Sequence, residues 1–178
     1  EDCVLEIITC TITNTTDTTP GVLSGTGTLG DPYLIESIED LVALSNIVNG
    51  GTTYSGKYIS LTIGLDFSNK QSYVNSNTTV FGDINGNGIV EGLMTELTTE
   101  SGFLPIGNNS KKFHGNFLGN ENCIKNFYIN RSSSDYVGLF GYNNGTIDNF
   151  KFSHSNVSGK EYISVISGIN NGTIKNIT

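Results

Sequence analysis

The chain has 178 residues, a formal charge of −8 at neutral pH and 36% hydrophobic residues, enough for one domain with its own core. With nine Lys and Arg in total and no basic stripe, its acidity argues against a nucleic-acid partner, because a phosphate backbone is held chiefly by positive surface. No window reaches about 18 unbroken apolar residues, so membrane insertion is not expected. The near absence of Ala beside abundant Gly, Asn, Ser and Thr suits short strands and tight corners better than helices.

Residues 1 to 20 begin as an alternating strand with apolar residues on both sides (Leu5 and Ile7 against Val4, Ile8 and Ile12) and end in a Thr-rich linker. A strand with two apolar faces needs something to dock on. The first residue is not Met and no leader precedes it, as in a processed secreted chain or a trimmed one. Cys3 and Cys10 are close enough in sequence for a disulfide in an oxidising compartment, with Cys123 left as a small buried thiol. The alternative is three unlinked thiols.

The solenoid domain is expected over residues 21 to 178. A glycine-rich turn, Gly25 to Asp31, leads into a short strand at Tyr33–Ile35. Ser37 with Asp40 three positions on reads as a capping box, and Ile38, Leu41, Val42 and Val48 fall on one helical face that Asn49-Gly50-Gly51 ends. The spacing predicts a helix over about 37–49, placed to cover one end of a stack of strands. From Tyr58 to Phe67 apolar residues alternate strictly, the clearest strand pattern in the chain.

Residues from about 68 to 102 fit no repeat and are read as a loop-helix insertion. Within it, Asp83, Asn85, Asn87, the carbonyl of Ile89 and Glu91 match the front of an EF-hand-like calcium loop, with Gly88 at the turn position. The last ligand position holds Met94 in place of a carboxylate, and Val90, Leu93, Met94 and Leu97 give the face of an exiting helix. Calcium is therefore the one cofactor expected, the alternative being an Asn-Gly-rich turn with no metal.

The repeats occupy about 103–178, where one phrase is written three times: Cys123-Ile124-Lys125-Asn126-Phe127, Thr146-Ile147-Asp148-Asn149-Phe150 and Thr173-Ile174-Lys175-Asn176-Ile177. The second and third copies share the longer run Asn-Asn-Gly-Thr-Ile. A unit of strand, polar corner and strand cannot bury its own apolar face and has to stack on the next, which defines a β-solenoid. Stacked on this phrase, Asp148 falls between Lys125 and Lys175, so no acidic ladder forms.

Several landmarks in order carry a family resemblance: Gly30-Asp31-Pro32-Tyr33-Leu34-Ile35, Glu39-Asp40-Leu41, Gly56-Lys57-Tyr58-Ile59-Ser60-Leu61, Leu104-Pro105-Ile106-Gly107, Phe113-His114-Gly115-Asn116-Phe117 and Gly138-Leu139-Phe140-Gly141. Together they resemble the GLUG-motif repeat proteins, large secreted and surface proteins that include adhesins. The resemblance covers most of residues 25 to 178 and implies an all-β fold, a right-handed parallel β-helix with an N-terminal cap. Two departures are visible: Gly64 precedes Asp66 in a strand that usually holds two Asp, and Val165-Ile166-Ser167-Gly168 stands in the last glycine-framed position.

The expected function is an extracellular, cell-surface structural or adhesive module with no enzymatic activity. Its expected partners are other copies of itself or a larger parent chain, and a glycan or protein receptor. One alternative is a filament subunit assembled head-to-tail through its N-terminal strand. A second is a carbohydrate-active β-helix enzyme, which would need carboxylates converging on one face. Tyr128, Tyr136, Tyr142 and Tyr162 are candidates for an aromatic glycan-binding patch or for corner plugs. His114 and His154 lack a second metal-ligating neighbour at suitable spacing. Glycosylation sequons stand at Asn14, Asn77, Asn108, Asn130, Asn144, Asn156, Asn171 and Asn176, of which Asn144 and Asn171 share a repeat corner and are the better candidates.

Overall fold

A computed structural model describes residues 23–68 and 100–178, which form a β-solenoid of about four turns. In chain order the elements are β1 (Tyr33–Ile35), α1 (Ile38–Gly50), β2 (Tyr58–Leu61), β3 (Leu65–Asp66), β4 (Glu100–Gly102), β5 (Asn116–Leu118), β6 (Cys123–Lys125), β7 (Tyr128–Arg131), β8 (Phe140–Asn143), β9 (Thr146–Ser153), β10 (Asn156–Gly159), β11 (Ser167–Asn170) and β12 (Thr173–Ile177). Successive turns lay parallel strands side by side. β1, β2, β5, the first half of β9 and β12 make one face, and β3, β6 and the second half of β9 make another. β7 and β10 pair in parallel with β4 antiparallel on the far edge of β7, and β8 pairs with β11.

Alternation turns every second side chain inward, so residues in register stack into columns. Ile59, Phe117 and Ile147 form one such column, each fully buried, and Ile174 continues it. The eight described phenylalanines link the columns: ring centroids run Phe67 to Phe127 at 5.4 Å, Phe127 to Phe152 at 5.8 Å, Phe152 to Phe150 at 5.1 Å, Phe150 to Phe117 at 5.8 Å and Phe117 to Phe140 at 5.4 Å. Phe103 packs on Phe127 and Phe113 on Phe140. A fully buried ring stabilises by about 1.5–3 kcal/mol, so this chain of rings dominates the interior.

The corners are made by residues in the left-handed region, which bends a strand sharply within one residue. Asn126 (φ 55°) lies over His154 (φ 55°), and its N–H bonds to the Ser153 carbonyl. Asn149 (φ 60°) and Asn176 (φ 54°) mark a second corner, and Tyr136 (φ 63°) and Tyr162 (φ 55°) a third. Asn tolerates this conformation better than most residues, which is why it recurs. A fourth corner closes on glycine: a Cβ on Gly145 would lie 2.0 Å from the Gly115 carbonyl oxygen, and one on Gly172 would lie 2.0 Å from that of Gly145. Only glycine lets consecutive turns approach this closely.

α1 sits at the β1 end, where the stack would otherwise expose its interior. The expected capping box forms: the Ser37 hydroxyl accepts from the Asp40 N–H at 3.1 Å and donates to the Asp40 carboxylate at 2.8 Å. Gly51 in the left-handed region (φ 116°) ends the helix. The anticipated face, Ile38, Leu41, Val42 and Val48, is buried, together with Leu44 and Ser45. Ser45 donates to the Leu104 carbonyl at 2.7 Å and Asn49 to that of Pro105 at 2.9 Å, tying the cap to the next turn.

Three expectations change. The alternating run from Tyr58 is two strands in different faces, because the chain turns at Thr62–Gly64 and the Thr62 N–H and hydroxyl both bond the Ile35 carbonyl at 3.1 Å. The first copy of the repeated phrase does not stack on the second: Ile124 pairs with Phe152, whereas Ile147 pairs with Phe117 and Ile174. Asp148 therefore faces Lys175 but not Lys125, which pairs with Asp66 and Ser153. Cys123, 3% exposed, is disulfide-bonded and is not a free thiol. Cys3 and Cys10, the N-terminal strand and the whole calcium loop lie outside the described residues.

Candidate functional site

The surface feature that the corners build is a tyrosine ledge. Tyr136 and Tyr162, at equivalent corner positions of successive turns, stack face to face with centroids 5.1 Å apart and planes 6° apart. Tyr142 follows at 6.2 Å from Tyr136, and the Lys112 ammonium lies 4.4 Å above the Tyr142 ring, a cation–π contact. The Tyr142 hydroxyl accepts from Asn171 Nδ2 at 2.9 Å. Exposure grows along the ledge, from 9% at Tyr142 to 51% at Tyr162, whose neighbour Ile163 is 46% exposed. Tyr162 and Ile163 thus stand at the last described turn of the ledge, in the places that Tyr136 and Val137 fill one turn earlier.

Of the four tyrosines singled out, the fold gathers Tyr136, Tyr142 and Tyr162 and leaves Tyr128 on β7, paired with Asn156. Lys112 was not anticipated. The signal for the corner was present in the sequence: Asp135-Tyr136-Val137 and Glu161-Tyr162-Ile163 repeat acidic residue, Tyr and β-branched residue at a spacing close to one turn.

The charged side chains of the turns are set against one another. Asp66 lies 3.8 Å from Lys125 and accepts from Asn126 Nδ2 at 2.7 Å, while Asp148 lies 3.3 Å from Lys175 and accepts from Asn176 Nδ2 at 2.8 Å. Burial pushes the Asp66 carboxyl up, but hydrogen bonds from Asn126 and Ser68 and the Lys125 charge outweigh it and hold the group below its ordinary value. Asp135 pairs with Lys160 at 3.7 Å. His154 bonds the adjacent Ser153 hydroxyl through Nδ1. Among the described residues no three His, Cys, Asp or Glu gather at metal-binding distance, and no helix is long and apolar enough to cross a membrane.

At the shared sequon corner the two candidates differ. Asn144 is half-buried and its Oδ1 is enclosed without a partner, whereas Asn171 is exposed but gives its amide N–H to Tyr142. Beneath them Asn143, fully buried, donates to the Asn170 side chain at 2.6 Å and accepts from Gly145 N–H at 2.9 Å, an amide ladder between turns.

Stacked parallel turns closed at one end by a capping helix define the class: a β-solenoid whose interior is spent on stacking. The chain is 31% identical over 161 residues to halomucin of Haloquadratum walsbyi, an alignment covering 89% of this chain and 2% of that protein. It is 27% identical over 159 residues to a putative Gly-rich membrane protein of Evansella cellulosilytica, covering 86% of this chain and 15% of the relative. The chain therefore spans a small fraction of the length of these curated relatives. No family model matches the chain, and no solved structure matches it.

Proposed function

We propose that this chain is a structural and adhesive β-solenoid module of a large extracellular or cell-surface protein, with no catalytic role. The observation that carries the reading is the pair of alignments, each taking in most of this chain but only 2% and 15% of its relative, as a module of a much longer surface chain would. One relative's name denotes a mucin and the other's a membrane protein. The fold is consistent with this role, since long solenoids reach outward by adding turns. The lysine partners of Asp66, Asp135 and Asp148 favour stacking over a pair of free carboxylates poised for glycoside cleavage. The GLUG-type resemblance of the landmarks supports the same reading. In it, the tyrosine corner stacked from turn to turn, Tyr136 with Tyr162, forms the contact point for a glycan or protein receptor.

Two measurements test the proposal. An antibody raised against the full chain should label intact producing cells, and brief protease treatment of those cells should remove the label. Labelling only after permeabilisation would refute the surface location. Beads coated with the chain should adhere to mucin-coated glass, with Tyr162→Ala reducing attachment severalfold and leaving the far-UV spectrum unchanged. Equal attachment by the variant would remove the ledge from the adhesive surface, and release of reducing sugar from mucin by the purified chain would overturn the non-catalytic reading.

A further inference from the structure

The outward face of β10 singles out one asparagine. The described chain carries six Asn-x-Ser/Thr sequons, and the fold commits the side chain of most of them. Asn108 donates to Asn49 at 2.9 Å and accepts from the N–H groups of Ser110 and Lys111. Asn130 is half-buried and accepts from Ser158, and Asn144 has its Oδ1 enclosed. Asn171 and Asn176 donate their amide N–H groups to Tyr142 and Asp148. Asn156 alone among these is exposed with its side-chain amide uncommitted in the hydrogen-bond network.

The geometry of β10 adds a second feature. Its burial alternates, with Asn156 and Ser158 exposed and Val157 and Gly159 half-buried, so both defining residues of the sequon project from the same side of one strand. In a parallel solenoid a further turn adds beside a strand, along its hydrogen-bonding edge, and leaves the outward face open. In a longer stack a residue of the next turn would lie over Asn156 as Asn156 lies over Tyr128, which is half-buried and keeps part of its outward side open.

We infer that Asn156 is a site of N-linked glycosylation and that the fold disfavours the other described sequons. The step joins Asn156 Nδ2 to C1 of a sugar carried on a lipid phosphate. The C1–O bond to phosphate breaks, the lipid phosphate leaves with the bonding electrons, and one amide proton passes to a base of the transferase. The inference rests on the extracellular reading above, since a lipid-linked donor and its transferase meet chains that leave the cytoplasm.

Trypsin cleaves after Lys151 and Lys160, which isolates Asn156 as the sole sequon of a short peptide. The full chain, secreted from a host shown to glycosylate a control protein, should give this peptide with a glycan mass, and Asn156→Gln should remove that glycan and leave the melting curve in place. An unmodified Asn156 peptide from a chain recovered outside the cell would overturn the inference while the surface reading stands. Equal occupancy at Asn108, Asn130, Asn144, Asn171 and Asn176 would also overturn it, by showing that the fold does not select. A chain found only in the cytoplasm of its natural producer would remove both readings.

Discussion

Replacing Gly145 with Ala puts a methyl group where consecutive turns nearly touch. The new Cβ would stand 2.0 Å from the Gly115 carbonyl oxygen and 2.7 Å from the His114 carbonyl carbon, both backbone atoms that cannot rotate away. The turns must part by more than an ångström to reach ordinary contact, and three inter-turn hydrogen bonds flank the site. These are Asn144 N–H to Phe113 O at 2.7 Å, Thr146 N–H to Gly115 O at 2.9 Å and Thr173 N–H to Gly145 O at 2.8 Å. Overpacking costs about 1–3 kcal/mol and each weakened bond about 1 kcal/mol, while Ala recovers about 0.4–1 kcal/mol by restricting the unfolded chain. The net is a loss of about 4 kcal/mol, or about 8–16 °C in Tm for a chain of this size. Gly30→Ala is the control, because nothing lies within 4 Å of a Cβ there. Calorimetry of both variants decides: a Gly145→Ala melt no lower than the Gly30→Ala melt would refute the close-approach account.

The interior gives a second expectation, that Phe117→Ala lowers stability by about 3–5 kcal/mol in urea unfolding, since its fully buried ring touches both Phe140 and Phe150. Asp66 gives a third. With its folded value depressed, its contribution is present above the unfolded carboxyl value and is lost as pH falls through the folded one. Its carboxyl carbon resonance should titrate below the usual aspartate midpoint, and Asn126→Ala should move the midpoint up. The calcium reading of Asp83, Asn85, Asn87, Ile89 and Glu91 gives a fourth: added calcium should raise Tm and Asp83→Ala should abolish the rise, and a melt indifferent to calcium and chelator would end that reading.

The fold was legible wherever its cause is local. Ser37, Asp40 and Gly51 announce both ends of α1, and the alternation of Ile59 and Leu61 announces β2, because caps and pleats act within a few residues. The pairing of the first repeated phrase was misread for the same reason. Ile-x-Asn-Phe encodes a strand running into a left-handed corner, and one turn of the solenoid contains more than one such corner. Asn126 and Asn149 are therefore alike in chemistry and φ yet belong to different columns. The structural partner of Thr146 in the preceding turn is Asn116, in a phrase with a different look, Asn-Phe-Leu-Gly-Asn. The Lys112 contact to Tyr142 was out of reach because it depends on residues brought together only by the closed turns.

The Ile-Lys-Asn phrase acquires a second meaning from this pairing. In both places where it occurs, Lys and the corner Asn reach back together to one carboxylate of the preceding turn, Lys125 and Asn126 to Asp66, Lys175 and Asn176 to Asp148. Exposed ion pairs contribute only about 0–1 kcal/mol, too little to hold turns that already share a chain of buried rings. Their effect is on order. An apolar column of Ile59, Phe117, Ile147 and Ile174 would accept its members in almost any sequence, since large aliphatic and aromatic residues replace one another there. An outward Asp accepts a following Lys-Asn and is repelled by a following Asp, and opposed like charges destabilise neighbouring strands. The interior therefore sets that the turns stack, and the two Asp to Lys-Asn contacts favour the observed neighbour at one step in each of two columns.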